Sequence, residues 1–159
     1  MDKNAVEAIL FITKEPITSE KISKLLNEPE STVDRWLSEL ERDYENRGIQ
    51  IRRVAGGFEM VSTVKYHKYV EPLVAKEYEF LSKPTLETIT LVATLQPVKK
   101  ATIAQYRGVQ NPDSGIESAL AMKLILETPD GYITTDAFLK LFGINDLKEL
   151  EEKLKELDK

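Results

Sequence analysis

The chain has 159 residues, 42% hydrophobic and 31% charged, which is enough for one ordinary domain or two small ones. Its formal net charge of -5 and pI of about 5.1 leave little of the counterion release that drives most nucleic-acid affinity. Cysteine is absent, which excludes a disulfide framework, a thiolate nucleophile and a Cys-based metal site.

The N-terminal apolar run is interrupted at Glu7, unlike a signal peptide. The longest stretch without a charge, Thr88 to Val98, is too short to span a bilayer, so a soluble intracellular protein is expected. Ala5 to Ile12 carries Val6, Ile9, Leu10 and Ile12 and reads as a first helix, broken by Thr13-Lys14-Glu15-Pro16. Thr18 or Ser19 can cap a second helix, Glu20 to Leu26, with Ile22, Leu25 and Leu26 inward. A third helix runs from Ser31 or Thr32 to about Asn46, with Val33, Trp36, Leu37, Leu40 and Tyr44 at steps of three and four. The period then becomes alternating. Ile49, Ile51 and Val54 form one strand, Gly56-Gly57 a turn, and Phe58 to Thr63 a returning strand. Three helices followed by a hairpin is a winged helix. Tyr66 to Phe80 reads as a helical connector with Tyr66, Tyr69, Val70 and Leu73 on one side and Pro72 limiting its continuity.

From Leu81 the pattern starts again. Ser82 caps a helix with Pro84 in its first turn and Leu86, Ile89, Val92 and Ala93 on one face, stopped at Gln96-Pro97. Lys100 to Tyr106 is the next helix, closed by Arg107-Gly108-Val109. Val6-Glu7-Ala8-Ile9 matches Leu86-Glu87-Thr88-Ile89, Glu15-Pro16-Ile17 matches Gln96-Pro97-Val98, and Ile22 matches Ile103. A third helix from about Pro112 to Met122 or Lys123 uses Ile116, Ala119 and Leu120. A shorter hairpin follows, with Thr128-Pro129-Asp130-Gly131 at its turn. Each hairpin has an aromatic after the turn glycine, Phe58 or Tyr132. The repeat predicts two related domains in place of one larger core. Asp136 to Phe142 adds a short helix with Phe138, Leu139 and Phe142, and a last amphipathic helix presents Leu147, Leu150, Leu154 and Leu157. That seam is too short to stand alone as a coiled coil, so it must dock on its own domain, a twin or a partner. The predicted class is mainly α with small β-wings, two tandem winged-helix domains at 1–63 and 81–143, a connector at 64–80 and a terminal helix at 144–159.

Chemistry is sparse. The single histidine, His67, sits in the polar run Lys65-Tyr66-His67-Lys68-Tyr69 and reads as a surface residue. The carboxylates lie in mixed-charge helices, Gly56-Gly57 is not followed by a P-loop lysine, and no nucleophile motif occurs. No enzyme activity, metal or cofactor is expected. Winged helices commonly bind DNA, but the third helix of the first copy offers Glu30, Asp34, Glu39 and Glu41 against Arg35, and that of the second offers Asp113 and Glu117. Arg52, Arg53, Lys99 and Lys100 are left for a weak, salt-sensitive DNA contact, with ordinary surface charge as the simpler reading. A winged-helix DNA-binding regulator is the rival to a protein-binding role.

Taken together, Val6-Glu7-Ala8-Ile9-Leu10-Phe11 with Pro16-Ile17, Arg47-Gly48-Ile49 with Val54-Ala55-Gly56-Gly57-Phe58, Leu81-Ser82-Lys83-Pro84-Thr85-Leu86-Glu87-Thr88, Gln96-Pro97-Val98, Tyr106-Arg107-Gly108-Val109, Thr134-Thr135-Asp136-Ala137-Phe138-Leu139 and Phe142-Gly143-Ile144 give nearly the whole chain a specific ordered pattern. It resembles the segregation and condensation protein B (ScpB) family, accessory subunits of the prokaryotic SMC–kleisin condensin complex. Two departures stand out. A short Leu126 to Gly131 turn replaces a longer Gly-Arg-rich second wing, and Lys99-Lys100 replaces a Thr-Arg pair. The resemblance implies a non-catalytic cytoplasmic, nucleoid-associated scaffold that dimerises mainly through its N-terminal domain. It also implies binding to the middle segment of the kleisin ScpA and, through it, to SMC in chromosome condensation, segregation and cell division. A helix-in-groove mode would place the kleisin contact at Phe138, Leu141, Phe142, Leu150 and Leu154, although Phe138 and Phe142, four residues apart, read equally well as core. Dimerisation is expected at the first helix around Val6, Ile9 and Leu10, where periodicity does not separate a core face from an interface.

Overall fold

The computed structural model describes residues 3–73 and 81–157, and side chains as far as residue 152. The chain divides into two compact units, Met1–Ala75 and Lys76–Lys159. Each builds a trihelical core with a two-stranded wing.

In the first unit, α1 (Lys3–Ile12), α2 (Ser19–Leu26) and α3 (Glu30–Asp43) precede β1 (Ile49–Val54) and β2 (Gly57–Ser62). The Thr18 side chain caps α2 by accepting the Lys21 N–H at 3.3 Å, supplying one of the partners that a helix start lacks. Val6, Leu10, Ile17, Ile22, Val33, Leu37, Leu40, Ile51 and Phe58 form the core, with Ile9, Leu26, Trp36, Tyr44 and Met60 at its edge. Leu25 departs from the expected inner face and is 62% exposed, because α2 is short and Ile22 with Leu26 fill its buried side. The wing turn also falls one residue earlier than expected. Val54 pairs with Gly57, so Ala55 and Gly56 make the two-residue loop, both at positive φ (50° and 75°), as a turn matched to strand twist requires. Gly57 belongs to the strand. A Cβ there would lie 3.1 Å from the Ile17 nitrogen, so glycine lets the wing close on the α1–α2 corner. There Ile17 and Phe58 exchange both backbone N–H···O bonds at 2.9 Å.

After β2 come a 3-10 turn (Val64–Tyr66), α4 (His67–Val70) and a second 3-10 turn (Glu71–Leu73). The remainder of the expected connector, 74–80, lies outside the described residues.

The second unit repeats the layout with α5 (Lys83–Leu95), α6 (Lys100–Arg107), α7 (Asp113–Ala121), β3 (Ile125–Thr128) and β4 (Gly131–Thr134). It adds α8 (Asp136–Phe142) and α9 (Leu147–Leu157). Ser82 caps α5 by accepting the Thr85 N–H at 3.3 Å, with Pro84 inside the first turn where its missing donor is no loss. Val98 and Tyr132 exchange both backbone bonds, at 3.1 and 2.8 Å, as Ile17 and Phe58 do in the first unit. The core gathers Ile89, Val92, Ala93, Val98, Ile103, Ile116, Ala119, Leu124, Ile125, Tyr132, Phe138 and Ile144. Thr85 and Thr88 are the buried polar side chains among the described residues, and the Thr88 hydroxyl donates to the Pro84 carbonyl at 2.8 Å. Arg107, whose side chain is only 6% exposed, donates from Nε to Glu87 at 3.1 Å and from Nη1 to Thr88 Oγ1 at 3.4 Å, tying α6 to α5.

Candidate protein-binding surfaces

The wings and third helices would meet DNA in a nucleic-acid-binding winged helix. Here the arginines of the first wing, and Lys100 on α6, are matched with carboxylates of the same unit. Arg53 donates two bonds, at 3.0 and 3.1 Å, to the two carboxylate oxygens of Glu41 on α3, and its guanidinium sits 5.0 Å over the Phe58 ring. The Glu41 hydrogen bond pushes the Arg53 pKa further up. Arg52 donates to Glu59 across the hairpin at 2.6 Å. Lys100 and Asp113 are paired at 2.5 Å between α6 and α7, and the hydrogen bond raises the lysine pKa and lowers that of the aspartate. Lys99, at the head of α6, is exposed and has no ion pair among the described residues. Three of the four cations assigned to DNA contact therefore carry internal counterions.

The expected kleisin contacts occupy different environments. Phe138 is 2% exposed and part of the second core, its ring 4.7 Å from that of Phe142 and tilted by 41°. Leu141, Phe142 and Leu150 are half-buried and pack against that core. Leu154 lies on α9, and its side chain is outside the described residues. Among the described residues, none of these lines the open cleft of about 440 Å³ at α8 and the start of α9, which is lined by Gln96, Thr134, Thr135, Asp136, Leu139, Asp146, Leu147 and Lys148. Local capping builds its walls. Asp146 Oδ1 accepts the Lys148 and Glu149 N–H groups at 2.9 and 3.1 Å and starts α9. The Gln96 side-chain oxygen accepts the Thr134 N–H at 2.7 Å and fixes the end of β4. Leu139 and Leu147 supply apolar lining. Periodicity places both among helical leucines and carries no sign of a cleft, because the lining joins the ends of α5 and β4 to α8 and the start of α9. In the sequence, Gln96 signals only a helix end.

On α1, Val6 and Leu10 are 0% and 1% exposed and belong to the core of their own unit, so their side chains offer no surface to a second copy. Ile9 is half-buried. Phe11 and Ile12, at the C-terminal end of α1, are 77% and 74% exposed. The sequence signal for Phe11 was an aromatic off the three-four stripe, where a folded monomer gives it nothing to pack on.

Among the described residues there is no cluster of His, Asp and Glu suited to a metal, and no helix is long and apolar enough to cross a membrane. His67 is exposed, with Nε2 4.0 Å from Glu71 one helical turn on. The fold and its surfaces define a tandem winged-helix protein with internally neutralised wings and apolar side chains open at α1 and beside α8.

Comparison with known proteins places that class. The family described as segregation and condensation complex subunit ScpB matches residues 4–153. Segregation and condensation protein B of Moorella thermoacetica is 35% identical over 92% of this chain and 80% of its own length. The protein of the same name from Clostridioides difficile is 33% identical over 93% and 89%. Among solved structures, ScpB from Mycobacterium tuberculosis is 28% identical, covers 90% of this chain and 95% of its own, and superposes with a TM-score of 0.43. A dimer of the ScpB N-terminal domain complexed with an ScpA peptide is 31% identical over 45% of this chain and 93% of its own, with a TM-score of 0.42. The chain belongs to the ScpB family of segregation and condensation complex subunits.

Proposed function

We propose that the chain is a non-catalytic scaffold that forms a homodimer and binds the kleisin ScpA. Through ScpA it would join SMC in chromosome condensation and segregation, in the cytoplasm at the nucleoid. Family membership supports the complex. The observation that carries the binding reading is the open cleft at α8 and the start of α9, lined by Leu139 and Leu147, on elements whose Leu141, Phe142 and Leu150 are only half-buried against the same core. An apolar kleisin segment laid there would add its side chains to the edge of a core that already exists, at about 25 cal/mol per Å² of apolar surface removed from water. Phe138, 2% exposed, belongs to the second core, which leaves the more exposed positions to carry the proposed contact. Dimerisation falls to Ile9, Phe11 and Ile12 on α1, with Val6 and Leu10 holding that helix to its own core.

The test is co-purification of the full chain with the middle segment of the cognate ScpA, with stoichiometry from light scattering. A stable complex is expected, weakened at least tenfold by Leu139→Asp or Leu147→Asp while thermal unfolding stays cooperative. No complex at micromolar concentration would overturn the scaffold reading. For the dimer, Phe11→Asp should give a folded monomer. A dimer of unchanged strength in that variant would remove α1 from the interface.

A further inference from the structure

The short helical turns after the first wing form a surface that none of the preceding roles uses. From Val64 to Val70 the sequence is Val-Lys-Tyr-His-Lys-Tyr-Val, with no carboxylate; the next residue, Glu71, faces His67 at 4.0 Å. Val64, Tyr69 and Leu73 are 85%, 64% and 85% exposed. Each lysine is set over the ring beside it, Lys65 Nζ at 5.4 Å from the Tyr66 centroid and Lys68 Nζ at 4.8 Å from that of Tyr69. Tyr66 also anchors the segment to the foot of β1, its ring 3.7 Å from where a Cβ on Gly48 would stand. Arg47 is the adjacent residue, its guanidinium 5.2 Å over the Tyr44 ring. None of Arg47, Lys65 and Lys68 forms an ion pair among the described residues, whereas Arg52, Arg53 and Lys100 all do.

We propose that Lys65, Tyr66, Lys68 and Tyr69, with Arg47, bind single-stranded nucleic acid without sequence preference. Cations interleaved with exposed aromatic rings are what an unpaired strand requires, because every base has a face to stack and every linkage a phosphate to neutralise. A duplex hides its base faces and would leave the tyrosines without partners. An apolar protein segment would have no use for the lysines. The inference is independent of kleisin binding and involves neither the α8–α9 cleft nor the α1 surface.

Fluorescence anisotropy of the full chain with a labelled oligothymidylate tests it. With about three phosphates neutralised on a single strand, log K should fall against log salt with a slope of roughly -2, about a hundredfold loss over a tenfold rise in salt. Tyr69→Ala should weaken binding by about tenfold, and the double variant Lys65→Glu with Lys68→Glu should abolish it, while Lys21→Ala, at an exposed lysine on α2, leaves it unchanged. These positions are exposed, so the variants should keep the wild-type melting temperature, and ScpA co-purification should be unaffected. No binding at low salt, full binding by Tyr69→Ala, or equal affinity for duplex and single strand would each overturn the proposal.

Discussion

The side-chain oxygen of Gln96 stands 2.7 Å from the backbone nitrogen of Thr134 and takes the place of a strand carbonyl at the end of β4. The Thr134 hydroxyl, at 3.2 Å, donates to the same atom. Gln96→Leu should therefore cost about 1 kcal/mol, the net worth of a typical hydrogen bond, and lower the melting temperature of the second unit. Gln96→Glu keeps an acceptor oxygen in place and should retain most of that stability at neutral pH. Equal losses in the two variants would show that the side chain acts by packing alone.

Two glycines are required by their neighbours. A Cβ on Gly115 would stand 2.4 Å from Thr88 Oγ1 and 2.6 Å from the Pro84 carbonyl, where α7 meets α5. A Cβ on Gly131 would lie 2.7 Å from the Val98 carbonyl, on a backbone at φ 138° that only glycine adopts readily. Gly115→Ala should destabilise by about 1–3 kcal/mol, as overpacking does. Gly131→Ala adds backbone strain and should cost more. Gly57→Ala, with contacts at 3.1 Å, should be the mildest of the three. Denaturant titration of the three variants gives the order directly.

Phe138→Ala should destabilise the second unit by about 3–5 kcal/mol, the usual cost of removing a fully buried aromatic side chain. Its effect on ScpA capture would follow unfolding. A variant that still melts at the wild-type temperature but loses ScpA would return Phe138 to the contact surface.

The pair between Lys100 and Asp113 predicts an acid response. The Lys100 hydrogen bond holds the Asp113 carboxyl below its ordinary value of 3.8. The pair's contribution is thus complete above about pH 4 and is lost as pH falls through the depressed value. Lys100 is raised above 10.5, so at the alkaline end the contribution persists until pH passes that raised value. Wild type should lose melting temperature faster than Asp113→Asn below pH 4, with parallel profiles between pH 6 and 9. Both side chains are largely solvated, so the effect should shrink in high salt.

Much of the architecture was legible because it rests on period. Three helical stripes followed by alternation located the first wing, and the echo of Glu15-Pro16-Ile17 in Gln96-Pro97-Val98 located the second. That echo has a structural basis, since Ile17 and Val98 are the residues that bridge to Phe58 and Tyr132. Period could not separate buried faces from interfaces. Val6 and Leu10 share their helix with Phe11, and only the packing of α3 and β2 decides which of them is covered. Nor could it give the ion pairs: Arg53 and Glu41 lie twelve residues apart and meet only because the hairpin folds back toward α3. The α8–α9 cleft was invisible for the same reason, its lining coming from four separate stretches of chain.

The paired bonds between Ile17 and Phe58, and between Val98 and Tyr132, also set how each unit carries load. A strand joined to a helical corner by two antiparallel bonds behaves as a ribbon whose third strand is one residue long. Tension along a wing is borne as shear across those bonds and passed to the trihelical core. The returning strand of each wing, β2 or β4, is thereby bonded on both edges, to its hairpin partner and to the helical corner. Freeing a wing from its core breaks both bonds and uncovers Phe58 or Tyr132, each 8% exposed in the folded unit, so backbone pairing and aromatic burial are lost with the same displacement.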